Sequence, residues 1–178
     1  RESIATLNRA LDLGVNFFDT ADAYGSESLL GQLRKQRREP FYIATKTSRT
    51  EPAEVRRELE SSLKRMNLDY VDFYHVWCIM SYEAYLKRKT NGVLKEFERL
   101  KQEGLIKHIC VSTHMTGSDI GKMLADYPFE GMLLGYSAMN FAYRDAGLDA
   151  AAKLKCGVVV MNPLGGGIIP KNPERFEF

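Results

Sequence analysis

The chain has 178 residues, 44% of them hydrophobic and 27% charged, which suits one ordinary globular α/β-sized domain over residues 1–178 and excludes a disordered or low-complexity chain. Its 25 basic and 23 acidic residues leave a formal net charge of +2, so electrostatics gives no reason to expect nucleic acid or a membrane surface as a partner. No apolar run approaches the roughly 20 residues that span a bilayer, and the start lacks a signal-peptide pattern, so the expected location is cytoplasmic.

A helix is expected at the start, where Ile4, Leu7 and Leu11 share a face and Gly14 follows. The apolar run VNFFD at 15–19 reads as the first strand, and FYIAT at 41–45 as the second. Between them, Lys35, Arg37 and Arg38 read as a solvated helix end. Val55, Leu59, Leu63 and Met66 recur at i, i+4, i+8 and i+11, which predicts a helix with one buried stripe. A third strand is expected at 70–77, YVDFYHVW, then a helix carrying Leu94, Phe97 and Leu100 with Gly104 just past its end. Further strands are expected at 107–112, 131–136 and 157–162. Cys78, Cys110 and Cys156 sit within or beside these apolar runs, form no CxxC pair, and are expected to be reduced, buried and structural.

Strand starts recur at roughly 28-residue intervals, about one βα unit of an eight-fold α/β barrel of about 250 residues. Uninterrupted apolar strands favour a parallel sheet with helices outside it. The expected fold is therefore a TIM (β/α)8 barrel of which about six βα units are present. By this count the first strand precedes Arg1 and the last βα unit follows Phe178. An open doubly wound sheet fits the same periodicity.

In either fold, chemistry gathers at the C-terminal ends of the strands. After the first strand comes FFDTADAYGSE, with Asp19, Asp22, Tyr24 and Glu27, and after the second comes ATKTSR, with Lys46. Tyrosine, lysine and carboxylate at adjacent strand ends form a proton relay on paper: the ammonium favours tyrosinate, the aspartate holds the lysine, and the phenol can protonate a carbonyl oxygen. Structural pairing of Asp19 with Lys46, with Tyr24 merely packed, accounts for the same residues. His75, His108 and His114 raise a metal-hydrolase reading, but no HxH closes an early strand and His108 lies at the start of its strand.

DTADAYGSE followed by ATKT resembles the tyrosine and lysine signatures of the aldo-keto reductase family, and LDYVDFY, EGLIKHICVSTH and VVVMNPLGGG are similar to further family segments in the same order. The resemblance covers essentially the whole chain. It implies an oxidoreductase that reduces an aldehyde or ketone with NADPH (NADH possible), acting on a small-molecule carbonyl or alcohol, with Tyr24 as acid, Lys46 as its modulator and Asp19 as the lysine's partner. The family's fourth catalytic residue, a histidine, falls in register at Trp77. His75 shares that face but lies about 6.6 Å deeper, two residues at roughly 3.3 Å each. It is therefore either a distorted stand-in or a buried core histidine, and Trp77 is expected to line a pocket for a flat or apolar substrate. For the cofactor, the resemblance implies Ser112, Thr113 and Tyr136 at the nicotinamide amide and Met161 against the ring. Asn162, Pro163, Leu164 and Gly165 are implied in the loop, whose glycines admit a pyrophosphate. Thr113, Tyr136 and Met161 stand where the family usually has asparagine, glutamine and tyrosine; Trp77, Tyr136 and Met161, three usual site positions altered together, leave open a non-catalytic nucleotide-binding sensor or regulatory subunit.

Overall fold

The computed structural model describes residues 2–176. Two compact units divide the chain: one runs to Trp77 and resumes from Lys87 to Ile109, and the other holds Cys78–Leu86 and everything from Cys110 onward.

The first unit opens with α1 (Glu2–Asp12), β1 (Phe17–Asp19) and a single 3-10 turn (Asp22–Tyr24). It continues with α2 (Glu27–Gln36), β2 (Tyr42–Thr47), α3 (Pro52–Met66) and β3 (Val71–Ile79), and later gains α5 (Val93–Gln102). Strands β1, β2 and β3 pair in parallel and in sequence order, with Asp19 opposite Ala44 and Lys46 opposite His75. Side chains alternate across a strand, so two faces follow from the register. Phe18, Ile43, Thr45, Tyr74 and Val76 are buried on the helix-covered face, where Tyr74 stacks on Phe97 of α5 with centroids 4.8 Å apart. The predicted stripe Val55, Leu59, Leu63 and Met66 is buried along α3. Helix α2 approaches α3 so closely that a Cβ on Gly31 would stand 2.3 Å from the Met66 carbonyl oxygen. On the opposite face, Phe73 packs with Phe17 at 5.4 Å, Tyr42 at 6.3 Å and His108 at 5.0 Å between centroids. By alternation Asp19, Lys46, His75 and Trp77 stand on that same face, two or four residues closer to the C-terminal strand ends.

In the second unit the C-terminal half of β4 (Ile106–Thr113) pairs in parallel with β5 (Gly131–Gly135), and β5 pairs in parallel with β6 (Gly157–Met161). Helices α6 (Gly117–Asp126) and α7 (Asp145–Lys153) pack against each other, and α8 (Ile168–Lys171) follows a glycine turn. Helix α4 (Tyr82–Thr90) straddles the division.

All six strands fall within two residues of their expected bounds. Three expectations change. Strand β6 comes from an uninterrupted apolar run of the kind buried in a parallel sheet, yet Val158, Val159 and Val160 are 37%, 40% and 42% exposed, because the described residues put a partner strand on one side of it only. Cys78 is exposed, unlike Cys110 and Cys156: its φ of 58° turns the chain out of the extended conformation at the end of β3. The stretch between β3 and β4 holds two helices where one was expected, broken at Gly92 with φ 88°.

Candidate functional site

Strand β2 carries Lys46 into an interior where the lysine is 2% exposed. A buried ammonium needs partners, and its Nζ donates to Asp19 Oδ2 at 2.5 Å and to the Thr20 carbonyl at 2.6 Å. Burial is the larger influence on both charges. It pushes the Lys46 ammonium below its ordinary value against the pull of Asp19, and pushes the Asp19 carboxyl up against the pull of Lys46.

Tyr24 ends the 3-10 turn and is closed off by Gly25 in a left-handed conformation, φ 67°. The ring is 55% exposed, with Lys46 Nζ 5.1 Å from its centroid and the Trp77 ring edge-on at 5.5 Å. The predicted trio of Asp19, Tyr24 and Lys46 is thus brought together within one unit, with Trp77 beside it. His75 is 4% exposed and its Nδ1 faces the Thr45 carbonyl at 3.3 Å. Burial, reinforced by the Lys46 charge, pushes its pKa down to about 3, so the ring is neutral and Nδ1 carries the proton that Thr45 accepts. The geometry is that of the buried, hydrogen-bonded core histidine.

A second set of contacts ties the Tyr24 turn to β2. Glu27, 1% exposed, accepts from Thr45 Oγ1 at 2.8 Å on one oxygen and from Arg65 Nε at 2.7 Å on the other. Arg65 Nη2 also donates to Asp22 Oδ1 at 2.5 Å and to Ser62 Oγ at 2.9 Å, and Nη1 donates to Ser61 Oγ at 2.8 Å. The sequence marks Asp22 and Glu27 as strand-end carboxylates but carries no sign of Arg65, whose carboxylate partners lie 38 and 43 positions away.

The residues implied for a nicotinamide cofactor lie in the second unit. Ser112 and Thr113, at the end of β4, are both buried. The Thr113 hydroxyl donates to the Ile79 carbonyl at 2.8 Å and accepts from the Met115 amide at 3.1 Å, so both its roles are taken by backbone. The Tyr136 hydroxyl donates to Asp145 Oδ1 at 2.5 Å, and that bond, more than burial, pushes the phenol above its ordinary value. Tyr136 also donates its backbone N–H to the Met161 carbonyl at 3.1 Å. Asn162 has φ 57°, and after Pro163 and Leu164 the chain continues through Gly165, Gly166 and Gly167 at φ 58°, 66° and 91°. Nothing lies within 4 Å of where a Cβ on Gly166 or Gly167 would be, so this backbone is open to approach. A cleft of about 350 Å³ lies alongside, lined in part by Ser137, Asn140, Tyr143, Asn162 and Gly165.

One buried cation escaped the sequence reading. Arg144, 7% exposed, donates from Nη1 to the Gly135 carbonyl and from Nη2 to the His114 carbonyl at 2.9 Å, fastening the chain just beyond β4 to the end of β5. Among the described residues no group of three or more His, Cys, Asp or Glu is placed to hold a metal ion, and no helix is long and apolar enough to cross a membrane.

The model of the Aldo/keto reductase family matches residues 1–176, and the chain belongs to that family. It is 29% identical over 182 residues to probable aldo-keto reductase 1 of Glycine max, an alignment covering 94% of this chain and 51% of the relative. The chain therefore spans about half the length of that curated relative. Among solved structures, an aldo-keto reductase of Pseudomonas aeruginosa described as putative superposes with a TM-score of 0.79 at 28% identity, covering 90% of this chain and 62% of the other. A Bacillus halodurans aldo-keto reductase in its holo form gives 0.78 at 25%, covering 93% and 57%. An aldo-keto reductase solved with NADPH gives 0.73 at 25%, covering 89% and 52%. The fold is accordingly that of a TIM barrel over about six βα units, and the open doubly wound alternative is set aside.

Proposed function

We propose that the protein to which this chain belongs reduces an aldehyde or ketone with NADPH, or NADH, and that Tyr24 delivers the proton to the carbonyl oxygen. The reading is carried by the Lys46 ammonium, which sits 5.1 Å from the Tyr24 ring centroid while Asp19 holds it at 2.5 Å. A cation there stabilises the phenolate left when the proton goes, and Asp19 and the Thr20 carbonyl keep that cation in place. Trp77 offers a flat wall next to the phenol for a flat or apolar carbonyl compound. His75 enters as a neutral support of β2.

The glycine loop after β6 fits a nicotinamide dinucleotide. Its backbone is left-handed at three successive positions and unobstructed at Gly166 and Gly167, as close approach of a pyrophosphate requires. Ser112, Met161 and Asn162–Gly167 would hold the cofactor, with Tyr136 alongside, and when bound it would supply the hydride. Thr113 would act by fixing the end of β4, since its hydroxyl is committed to Ile79 and Met115.

A second reading, a nucleotide-binding sensor without turnover, is favoured by the prior engagement of Thr113 and Tyr136 with other groups of the chain. Fluorescence titration with NADPH and NADH, on this chain and on the full-length reading frame, separates the two when combined with turnover of an aldehyde panel. Tyr24→Phe is expected to lower kcat by about 10²- to 10⁴-fold while leaving nucleotide affinity unchanged. Binding without turnover in every form supports the sensor, and no binding by either protein removes both readings.

A further inference from the structure

We propose that Arg65 and Asp22 form a bracket that positions Tyr24 for proton transfer, a role that rests on Tyr24 being the acid. The guanidinium is planar and rigid, so two carboxylates bound to it are held at a fixed separation. One is Glu27, whose other oxygen accepts a hydrogen bond from the hydroxyl of Thr45, the residue before Lys46. The other is Asp22, the first residue of the three-residue turn that ends at Tyr24. The bracket therefore links the strand that bears the ammonium to the turn that bears the phenol. It does so through Thr45, Glu27, Arg65 and Asp22, none of which is the proposed acid or its ammonium. The two Arg65 contacts to Ser61 and Ser62 hold the guanidinium against α3.

An arginine serving stability alone would leave the chemistry of the surviving folded enzyme unchanged. A bracket predicts otherwise, because a displacement of about 1 Å in a reacting group can cost a hundredfold in rate. In the full-length reading frame, Asp22→Asn and Arg65→Lys are expected to lower kcat by about ten- to a hundredfold. The NADPH dissociation constant should stay within about twofold, and the alkaline limb of the pH–rate profile should move to higher pH as Lys46 and Tyr24 lose their fixed relation. Asp22→Glu, which keeps the carboxylate, should recover most of the activity. Glu58→Gln, which removes the separate pairing with Arg49, should leave kcat and the profile unchanged. Asp22 is over a third exposed, so its asparagine variant carries the test even where Arg65→Lys does not fold. Wild-type kcat and pH profile in Asp22→Asn, or a kcat loss that only tracks the folded fraction, overturns the bracket. Tyr24→Phe in the same series tells the two failures apart. If that variant is active, the reductase reading falls and the bracket with it; if it is inactive while Asp22→Asn is normal, the bracket alone falls.

Discussion

Buried opposite Lys46 and bonded to the Thr45 carbonyl, the His75 imidazole has a pKa near 3, whereas in an unfolded chain it titrates near its ordinary value of 6.5. Between those values the unfolded state holds a proton that the folded state refuses, so stability rises with pH across that interval. His75 costs nothing above about pH 6.5, and its penalty grows as pH falls toward 3. By pH 5 the loss should reach about 2 kcal/mol relative to neutral pH. Urea melts at pH 5 and pH 7.5 should show this loss, and His75→Gln, which keeps a donor for Thr45, should reduce it; an equal pH dependence in the variant would refute the account. At this scale the sequence disclosed what depends on strand-end placement: Asp19 and Lys46 are close because adjacent strands end together. It did not disclose partners reached through the fold, such as Ile79 for Thr113 or Asp145 for Tyr136. Nor could it mark Arg144, whose acceptors are backbone carbonyls that every residue possesses.

Helix α3 was legible because its buried stripe follows the 3.6-residue period from Val55 to Met66, whereas of its neighbour α2 only the basic end near Lys35 was legible, because its packing depends on an absent side chain. Gly31 lets α2 lie against the end of α3, and a methyl group added there would meet the backbone at Met66, which cannot rotate away. Gly31→Ala should therefore destabilise the protein by about 1–3 kcal/mol despite alanine's better helix propensity. A urea midpoint that falls with an unchanged slope would bear this out, and a rise would refute it. The α4–α5 break at Gly92 was missed for a related reason. Helix α4 buries only Tyr85 among its nine residues and so writes little periodicity into the sequence, although Tyr85 is anchored by a hydroxyl bond to Asp126.

For the molecule as a whole, strand count and spacing were readable because each βα unit repeats the last, but exposure was not, since it depends on what lies next to a strand. Among the described residues strand β6 pairs on one side only and presents Val158, Val159 and Val160 partly exposed, the arrangement that invites association between chains. The 178-residue chain is expected to self-associate at micromolar concentration, and Val159→Lys to suppress this in sedimentation velocity; a monodisperse parent would refute it. The two compact units bear on how such a chain is made. The backbone crosses between them after Trp77, Leu86 and Ile109, so neither unit is a continuous stretch and no single proteolytic cut releases one intact. During synthesis from the N-terminus, the unit holding Asp19, Tyr24 and Lys46 has all its residues once Ile109 has left the ribosome, while the glycine loop at Gly165 is still to be translated. Asp19, Tyr24 and Lys46 can thus be in place on the nascent chain before the glycine loop exists.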